Sequence, residues 1–260
     1  MTERTPHPEE HREERRPRDA AYWARYVETL KVSDVPKGAV NLNVEGRRTV
    51  GPLQGFGKMW QKTYHVRLEG ASVSPAEVVK SWRERFPDFW APGNRFLAPS
   101  TGLSPGGVAL INSDIPGSRW FSTGVMVLYA DDESFTYITP EGHPFSGWVT
   151  FSAYDEDGCT VAQVHLLIRA NDPLYELMMP LGLHRLEDRT WQRTLHNLAA
   201  RFGADGQVET RVVCVDPKRQ WRRYTNIRHN ALILSALYAF SRPARRKLAS
   251  HDRRRGGSLE

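Results

Sequence analysis

The chain has 260 residues, a formal net charge of +6 and 40% hydrophobic residues, as expected for a globular protein of one large domain or of one domain with extensions. An uninterrupted apolar run of about 18 residues is absent and so is the apolar segment of a secretory signal, which excludes a membrane-spanning helix and predicts a cytoplasmic protein. Cys159 and Cys214 lie far apart, form no CxxC motif and are expected to be reduced thiols.

The positive charge is unevenly distributed. Residues 218–260 contain twelve Lys or Arg and two acidic residues, so this segment carries +10 and the other 217 residues carry −4. A nucleic-acid interaction would therefore depend on the C-terminal segment alone, and we do not expect one.

The N-terminal part is predicted to hold a tail, a helix and a connector. Residues 1–18 are almost all charged, Pro or His, and are expected to be disordered. Within 19–57, Asp19 is placed to cap a helix whose apolar side chains either dock on the body or bind a partner. These are Tyr22, Trp23, Tyr26, Val27 and Leu30. An irregular connector follows, with a short strand near Val40 to Val44.

The main domain is predicted to span 58–203 and to open with a strand and a helix. Alternation from Tyr64 to Leu68 predicts a half-buried strand. Ser74, Pro75 and Glu77 form a capping-box pattern, which predicts a helix. The apolar residues at helical spacing are Val78, Val79, Trp82 and Phe86.

A run of strands is predicted next, joined by short loops that favour sequential antiparallel pairing. The predicted strands are Gly107–Ile111, Arg119–Tyr129, Ser134–Thr139, Gly147–Tyr154 and Thr160–Arg169. A turn is expected to begin at Asn112. The 119–129 strand is apolar on both faces, so we expect both to be covered, one of them by a terminal extension. In the last strand the predicted core face is Ala162, Val164, Leu166 and Ile168, with Gln163 and His165 opposite.

A long helix closes the domain. Asn171-Asp172-Pro173 predicts its start, and an apolar stripe continues to Phe202-Gly203. Gly182 is a predicted bend. This order of elements resembles the helix-grip fold of the START, polyketide cyclase and Bet v 1-like (SRPBCC) superfamily, over about 58–203. The fold class is α+β, a curved antiparallel sheet gripping a long C-terminal helix, with helical extensions at both ends.

The resemblance implies a pocket between sheet and helix, of the kind that takes sterols, phospholipids, aromatic polyketides or plant hormones in the superfamily. The space is either a cavity or filled by large side chains. The residues expected to line it are Trp82, Phe86, Val125, Val127, Tyr129, Trp148, Leu177, Leu181 and Trp191. His184 and Asp188 are the candidate catalytic pair, with His184 as general base and Asp188 orienting it, or alternatively a surface pair. We expect no cofactor and no metal site.

The C-terminal segment, 204–247, is predicted to contain a strand at 208–215 and an apolar helix at 231–240 flanked by cations. This pattern suits either an anionic membrane surface or docking on the domain. The candidate membrane-binding residues are Arg222, Arg223, Arg228, Leu234, Leu237, Arg245 and Arg246. Residues 248–260 are expected to be a disordered basic tail.

The sequence leaves three functions open. The first is a non-catalytic carrier or sensor for a hydrophobic small molecule or lipid, working in the cytoplasm or at a membrane surface. The second is an enzyme of the polyketide cyclase or aromatase kind, in which a pocket orients the substrate and excludes water. The third is an interaction module whose pocket is filled.

Overall fold

A computed structural model of the chain describes residues 20–33, 38–90, 93–99, 102–115 and 118–241, and between 114 and 120 it describes no side chains. The strands are β1 (Thr49–Val50), β2 (Met59–Arg67), β3 (Asn94–Leu97), β4 (Val108–Ile115), β5 (Ser118–Ala130), β6 (Ser134–Pro140), β7 (Phe145–Glu156), β8 (Cys159–Ala170) and β9 (Glu209–Asp216). The α-helices are α1 (Pro75–Glu84), α2 (Phe86–Phe89), α3 (Pro173–Met178), α4 (His184–Arg201) and α5 (231–241). Short 3-10 helices cover Ala20–Tyr22, Pro52–Gln54 and Trp221–His229.

The strands form one curved antiparallel sheet. Within the described residues its order is β3-β4-β5-β6-β7-β8-β2-β9, and β1 pairs with β6. The predicted meander from β4 to β8 is confirmed. The predicted turn at Asn112 is wrong, because Asn112 continues β4 and pairs with Ser122.

Helix α1 begins where the capping box predicts. The Ser74 hydroxyl accepts a hydrogen bond from the Glu77 amide, and the Glu77 carboxylate accepts one from the Ser74 amide at 2.9 Å. Together they satisfy two amides that a helix start leaves without partners. The helix buries its predicted face against the concave side of the sheet, which fixes where the interior lies.

The predicted long helix is confirmed, and it is bent. Asp172 caps its start by accepting from the amides of Leu174 and Tyr175. A π-helical turn, Met179–Leu183, then separates α3 from α4. Gly182 lies in this turn with φ of 129°, a conformation that residues with a Cβ rarely adopt. The helix lies across the concave face of the sheet, and the predicted α+β helix-grip fold is confirmed.

The predicted core face of β8 is also confirmed. Ala162, Val164, Leu166 and Ile168 are all buried on the concave side. Gln163 and His165 are half-buried on the opposite side, which we call the convex face.

The predicted N-terminal helix is wrong beyond one 3-10 turn, and Asp19 lies outside the described residues. Trp23 instead bridges to Tyr129 of β5, and the Ala24 amide donates to the Leu128 carbonyl. After the 3-10 turn, the backbone of this segment therefore bonds to the sheet at Ala24. Leu30 is buried, whereas Tyr26 is 91% exposed.

The predicted strand at 40–44 is wrong, because the amide of Val40 donates to the Asn112 side chain rather than to a neighbouring strand. This segment nevertheless covers the convex face of β5, as Asn43 donates to the Ser122 carbonyl at 2.8 Å and to the Ser235 hydroxyl at 3.0 Å. Ser235 belongs to α5. The expectation that β5 is covered on both faces is confirmed, and both terminal extensions contribute.

The C-terminal segment is built into the sheet and the helix start. The predicted strand is present as β9, which pairs with β2. Asn230 donates to the Asp172 carboxylate at 2.7 Å, and Asn226 donates to the carbonyls of Gln54 and Asn171 at 2.8 Å each. The sheet therefore includes a strand that follows residue 203. Residues further along the C-terminal segment hydrogen-bond to the start of the long helix.

Candidate functional site

The concave side of the sheet is filled with aromatic rings. Phe86 lies at its centre, with its ring centroid 4.6 Å from that of Phe96 and about 5.2 Å from those of Tyr137 and Phe151. Trp191 of α4 closes over Phe151 at 5.6 Å. Contacts at these distances leave the rings in direct packing. Around Phe86, side chains therefore occupy the space between the sheet and the long helix.

The predicted ligand-binding residues are therefore divided among three places. Five lie in the concave core: Trp82, Phe86, Val125, Val127 and Trp191. Tyr129 and Trp148 lie on the convex face. Leu177 and Leu181 lie on the outer surface of the bent helix and are 62% and 77% exposed. The nine residues do not share one pocket.

The predicted catalytic pair lies beside a buried ion cluster between β2 and α4. Lys62, which is completely buried, donates to Glu187 and to Asp188 at 2.7 Å each. Tyr64 donates to the same Asp188 oxygen at 2.6 Å. Asp188 therefore accepts hydrogen bonds from two donors of β2. Among the described residues, no hydrogen bond joins it to His184, which packs edge-on against Trp60 at 4.8 Å.

The protonation states of this cluster follow from burial and charge. Burial, assisted by the charge of Lys62 and opposed by that of Asp188, lowers the pKa of His184 to about 4. His184 is thus neutral near pH 7. Burial also raises the pKa of Glu187, against the opposing charge of Lys62. The arrangement suits a structural ion cluster that holds α4 on the sheet.

The convex face carries an open groove of about 610 Å³. One part of it comes from the N-terminal segment, because the bridge to β5 places the Trp23 ring 4.7 Å from the Tyr129 ring. A β-bulge between Val127 and Tyr129 brings Tyr129 opposite Thr136 on the convex side. Without the bulge, strand alternation would place Tyr129 in the concave core.

The groove combines aromatic rings with hydroxyl groups. Its lining residues are Trp23, Leu128, Tyr129, Glu133, Ser134, Thr136, Trp148, Thr150, Ser152, Ala153 and Tyr154. The hydroxyls of Thr136 and Thr150 lie 2.9 Å apart across neighbouring strands. Such a surface offers ring faces for stacking and neutral groups for hydrogen bonds.

Sequence reasoning missed most of this groove. Burial alternates along β6 and β7, where Phe135 and Phe151 are buried on the concave face. The hydroxyl-bearing residues at the alternate positions lie on the convex face, and they are Thr136, Thr150 and Ser152. This alternation was a usable signal for a polar outer face. The contribution of Trp23 carried no such signal, because its spacing fitted a helix.

The predicted membrane-binding residues are also divided. Helix α5 docks on the body through Ala231 and Ser235, which are buried. Leu234 is half-buried, and Leu237 is 60% exposed. Arg222 and Arg228 are exposed and Arg223 is half-buried, whereas Arg245 and Arg246 lie outside the described residues.

In the described part of the chain, no helix combines the length and the apolar composition that a membrane span requires. The same residues contain no group of three or more His, Cys, Asp or Glu side chains placed to hold a metal ion.

No family model matches the sequence, and no curated protein matches it. Three similar solved structures are a START superfamily protein from Mycobacterium smegmatis, the di-domain ARO/CYC StfQ from the steffimycin biosynthetic pathway, and Ara h 8.0201. Their identities are 21%, 11% and 14%, and their TM-scores are 0.39, 0.44 and 0.41. The matches cover 56%, 56% and 55% of this chain and 98%, 51% and 97% of the others. The fold assignment rests on the order of strands and helices given above.

Proposed function

We propose that the chain binds a hydrophobic small molecule without acting on it, and that the ligand lies in the convex groove rather than inside the grip. The observation that carries this proposal is that Trp148 and Trp23, which packs on the buried Tyr129, line one open groove of about 610 Å³. A volume of this size accommodates a small organic ligand. The concave side, by contrast, is occupied by Phe86 and its neighbours.

The lining favours a neutral ligand with a flat ring system. Ring faces of Trp and Tyr stack on flat apolar groups, and the Thr and Ser hydroxyls hydrogen-bond to one or two polar substituents. Glu133 is the one carboxylate among the described lining residues. An anionic ligand would meet this charge with no lining Lys or Arg to balance it.

Binding without chemistry is favoured over the cyclase or aromatase alternative. A general base needs a free lone pair within reach of a substrate proton and a partner that orients it. Asp188 is held by Lys62 and Tyr64 instead of orienting His184. The described residues that line the groove include no His, Lys or Cys.

Fluorescence titration with the neutral probe N-phenyl-1-naphthylamine tests the proposal. We expect saturable binding of one probe per chain, weakened about tenfold by Trp148→Ala, since aromatic anchors dominate such contacts. Tyr26→Ala is the control, because Tyr26 is an exposed aromatic residue near Trp23 in sequence that does not line the groove. Equal affinities for wild type and Trp148→Ala, or no saturable binding, would contradict the proposal.

A second candidate function is contact with an anionic membrane surface through α5. Leu237 and Phe240, on adjacent turns of this helix, are 60% and 81% exposed, which is unusual for large apolar side chains in water. Basic residues flank the helix in the sequence, so apolar insertion and attraction to anionic lipid would act together.

Liposome flotation tests this candidate with point variants, because deleting the segment would remove the contacts of Asn226 and Asn230 with the body. The double variant Leu237→Ser, Phe240→Ser should lose flotation on anionic vesicles. Leu177→Ser with Leu181→Ser is the matched control, since both of these leucines are also exposed. Equal flotation of wild type and both double variants would remove α5 from the interaction.

A further inference from the structure

A second cavity, distinct from the convex groove, lies where the C-terminal segment clasps the body. It has a volume of about 340 Å³ and is lined by β1, the turn after β6, Asn171 at the end of β8, and the 3-10 helix Trp221–His229. The side chains that give it its character are Arg48, Glu141, Asn171, Arg223, Asn226 and His229. We call it the clasp cavity.

The walls of the clasp cavity are fixed by backbone contacts. The Gly142 carbonyl accepts from the Ala231 amide at 2.9 Å, which ties the turn to the C-terminal segment. A Cβ added to Gly142 would lie 1.9 Å from the His229 carbonyl oxygen, so only glycine permits this approach. Asn226 joins the 3-10 helix to Gln54 and to Asn171. The cavity is therefore formed before any ligand arrives.

Two side-chain donors of residues that line the clasp cavity have no acceptor among the described residues. Asn171 is buried, and its Oδ1 accepts from Ser146 and Asn226 while its Nδ2 has no partner among the described residues. Arg223 Nε is likewise buried without an acceptor. Among the described residues, the Arg223 guanidinium forms no ion pair. Buried donors are normally satisfied, so two orphan donors on side chains that line one cavity favour a ligand that supplies acceptor atoms.

The charges of the lining and the tautomer of His229 also favour a ligand that accepts hydrogen bonds. Arg48 is paired with Glu141 at 2.6 Å, which neutralises the one carboxylate of the lining and leaves Arg223 uncompensated. The Arg47 guanidinium contacts His229 Nδ1. A guanidinium only donates, so Nδ1 is the acceptor and the ring proton of neutral His229 is on Nε2, a further donor.

We infer that the clasp cavity binds a small oxyanion, a phosphoryl or carboxylate group of a low-molecular-weight ligand, with Arg223 and Asn171 as its principal donors. An arginine fork matches the oxygens of either group, and a charge-assisted hydrogen bond is stronger than a neutral one. This site is independent of the proposed function, since no residue of the clasp cavity lines the convex groove.

Isothermal titration calorimetry on the full chain tests the inference with inorganic phosphate and, separately, with citrate. Preference for phosphate assigns the phosphoryl group, and preference for citrate assigns the carboxylate. We expect Arg223→Gln to weaken binding at least about tenfold, because it removes a charged donor. Arg222→Gln is the matched control, since it makes the same change of charge at an exposed neighbour outside the lining.

Amide and side-chain NMR shifts of the wild-type chain locate the anion without any variant. The inference predicts that phosphate shifts the side-chain NH2 signals of Asn171 and Asn226 and the backbone amide of Gly142. It also predicts that Asn171→Asp, which keeps Oδ1 and replaces the orphan donor by negative charge, abolishes the shifts. Shifts confined to the arginine-rich C-terminal residues, equal weakening by Arg222→Gln and Arg223→Gln, or no saturable heat would overturn it.

Discussion

The two faces of one sheet carry aromatic residues in different ways. On the concave face, the aromatic side chains, with Trp82 and Phe86 at their centre, pack against one another and against the bent helix. On the convex face, Trp23 and Trp148 are only partly buried and line an open groove. The same residue type therefore serves as core on one side and as accessible surface on the other.

The difference shows that the open groove of this helix-grip fold does not lie between the sheet and the long helix. Large side chains from α1, α2 and α4 fill the space under the helix, as the rings of Trp82, Phe86 and Trp191 illustrate. The terminal extensions then build new concavities outside the grip. If this account holds, substitutions on the concave face should change stability, and substitutions on the convex face should change binding.

The largest expected effect is that of Trp82→Ala on the concave face. Trp82 is completely buried, with its ring 5.1 Å from Phe151, so its removal should cost about 4 kcal/mol of unfolding free energy. Trp148→Ala makes the same change on the convex face and should cost about 1 kcal/mol, since its side chain is half-exposed. Urea denaturation of both variants measures the contrast. Similar losses would mean that the two faces do not differ as described.

The second effect concerns the buried ion cluster. Lys62→Met leaves the buried Glu187 without its partner and should cost about 3 kcal/mol of unfolding free energy. The exposed pair of Arg85 and Asp88 is the matched comparison, and Arg85→Met should cost less than about 1 kcal/mol. Urea denaturation applies here too. Equal costs would show that Lys62 is not paired in the folded state.

The third effect is the pH dependence contributed by His184. Its pKa is about 4 in the folded chain and near 6.5 when unfolded, so the unfolded state binds the proton first. Stability from neutral His184 is thus present above about pH 6.5 and is lost as the pH falls toward 4. The stability advantage of wild type over His184→Gln should shrink between pH 7 and pH 5. Urea denaturation of wild type and His184→Gln at pH 7 and pH 5 measures this change, and an advantage that is equal at both pH values would contradict it.

The smallest effect is expected at the hydroxyls of the groove. Thr150→Val keeps the shape of the side chain and removes the hydroxyl next to Thr136. Because solvent reaches this position, the stability should change by less than about 0.5 kcal/mol. Affinity for a probe with a hydroxyl substituent should fall, while affinity for N-phenyl-1-naphthylamine, which has no hydroxyl group, should change less. A large stability loss would place Thr150 in the core.

Local signals in the sequence were enough to predict the frame of the fold. Asp172-Pro173 and the Ser74 capping box marked helix starts because caps act on the nearest amides. Alternation in β8 gave its core face for a similarly local reason.

The rest depended on contacts between distant residues. The spacing of Trp23 fitted a helix, and only pairing with Tyr129, more than a hundred positions away, made it part of a groove. The bulge before Tyr129 reversed its face, which alternation alone does not reveal. Lys62, which donates a hydrogen bond to Asp188, lies on a strand 126 positions earlier in the chain. Burial and partner of a charged side chain therefore needed the folded structure.

Intermolecular nuclear Overhauser effects can show directly whether a bound hydrophobic probe lies in the convex groove or inside the grip. With N-phenyl-1-naphthylamine bound, we expect contacts to the indole of Trp148 and the methyl group of Thr150 on the convex face. Contacts to the rings of Phe86 and Phe151 would place the probe inside the grip and contradict this expectation.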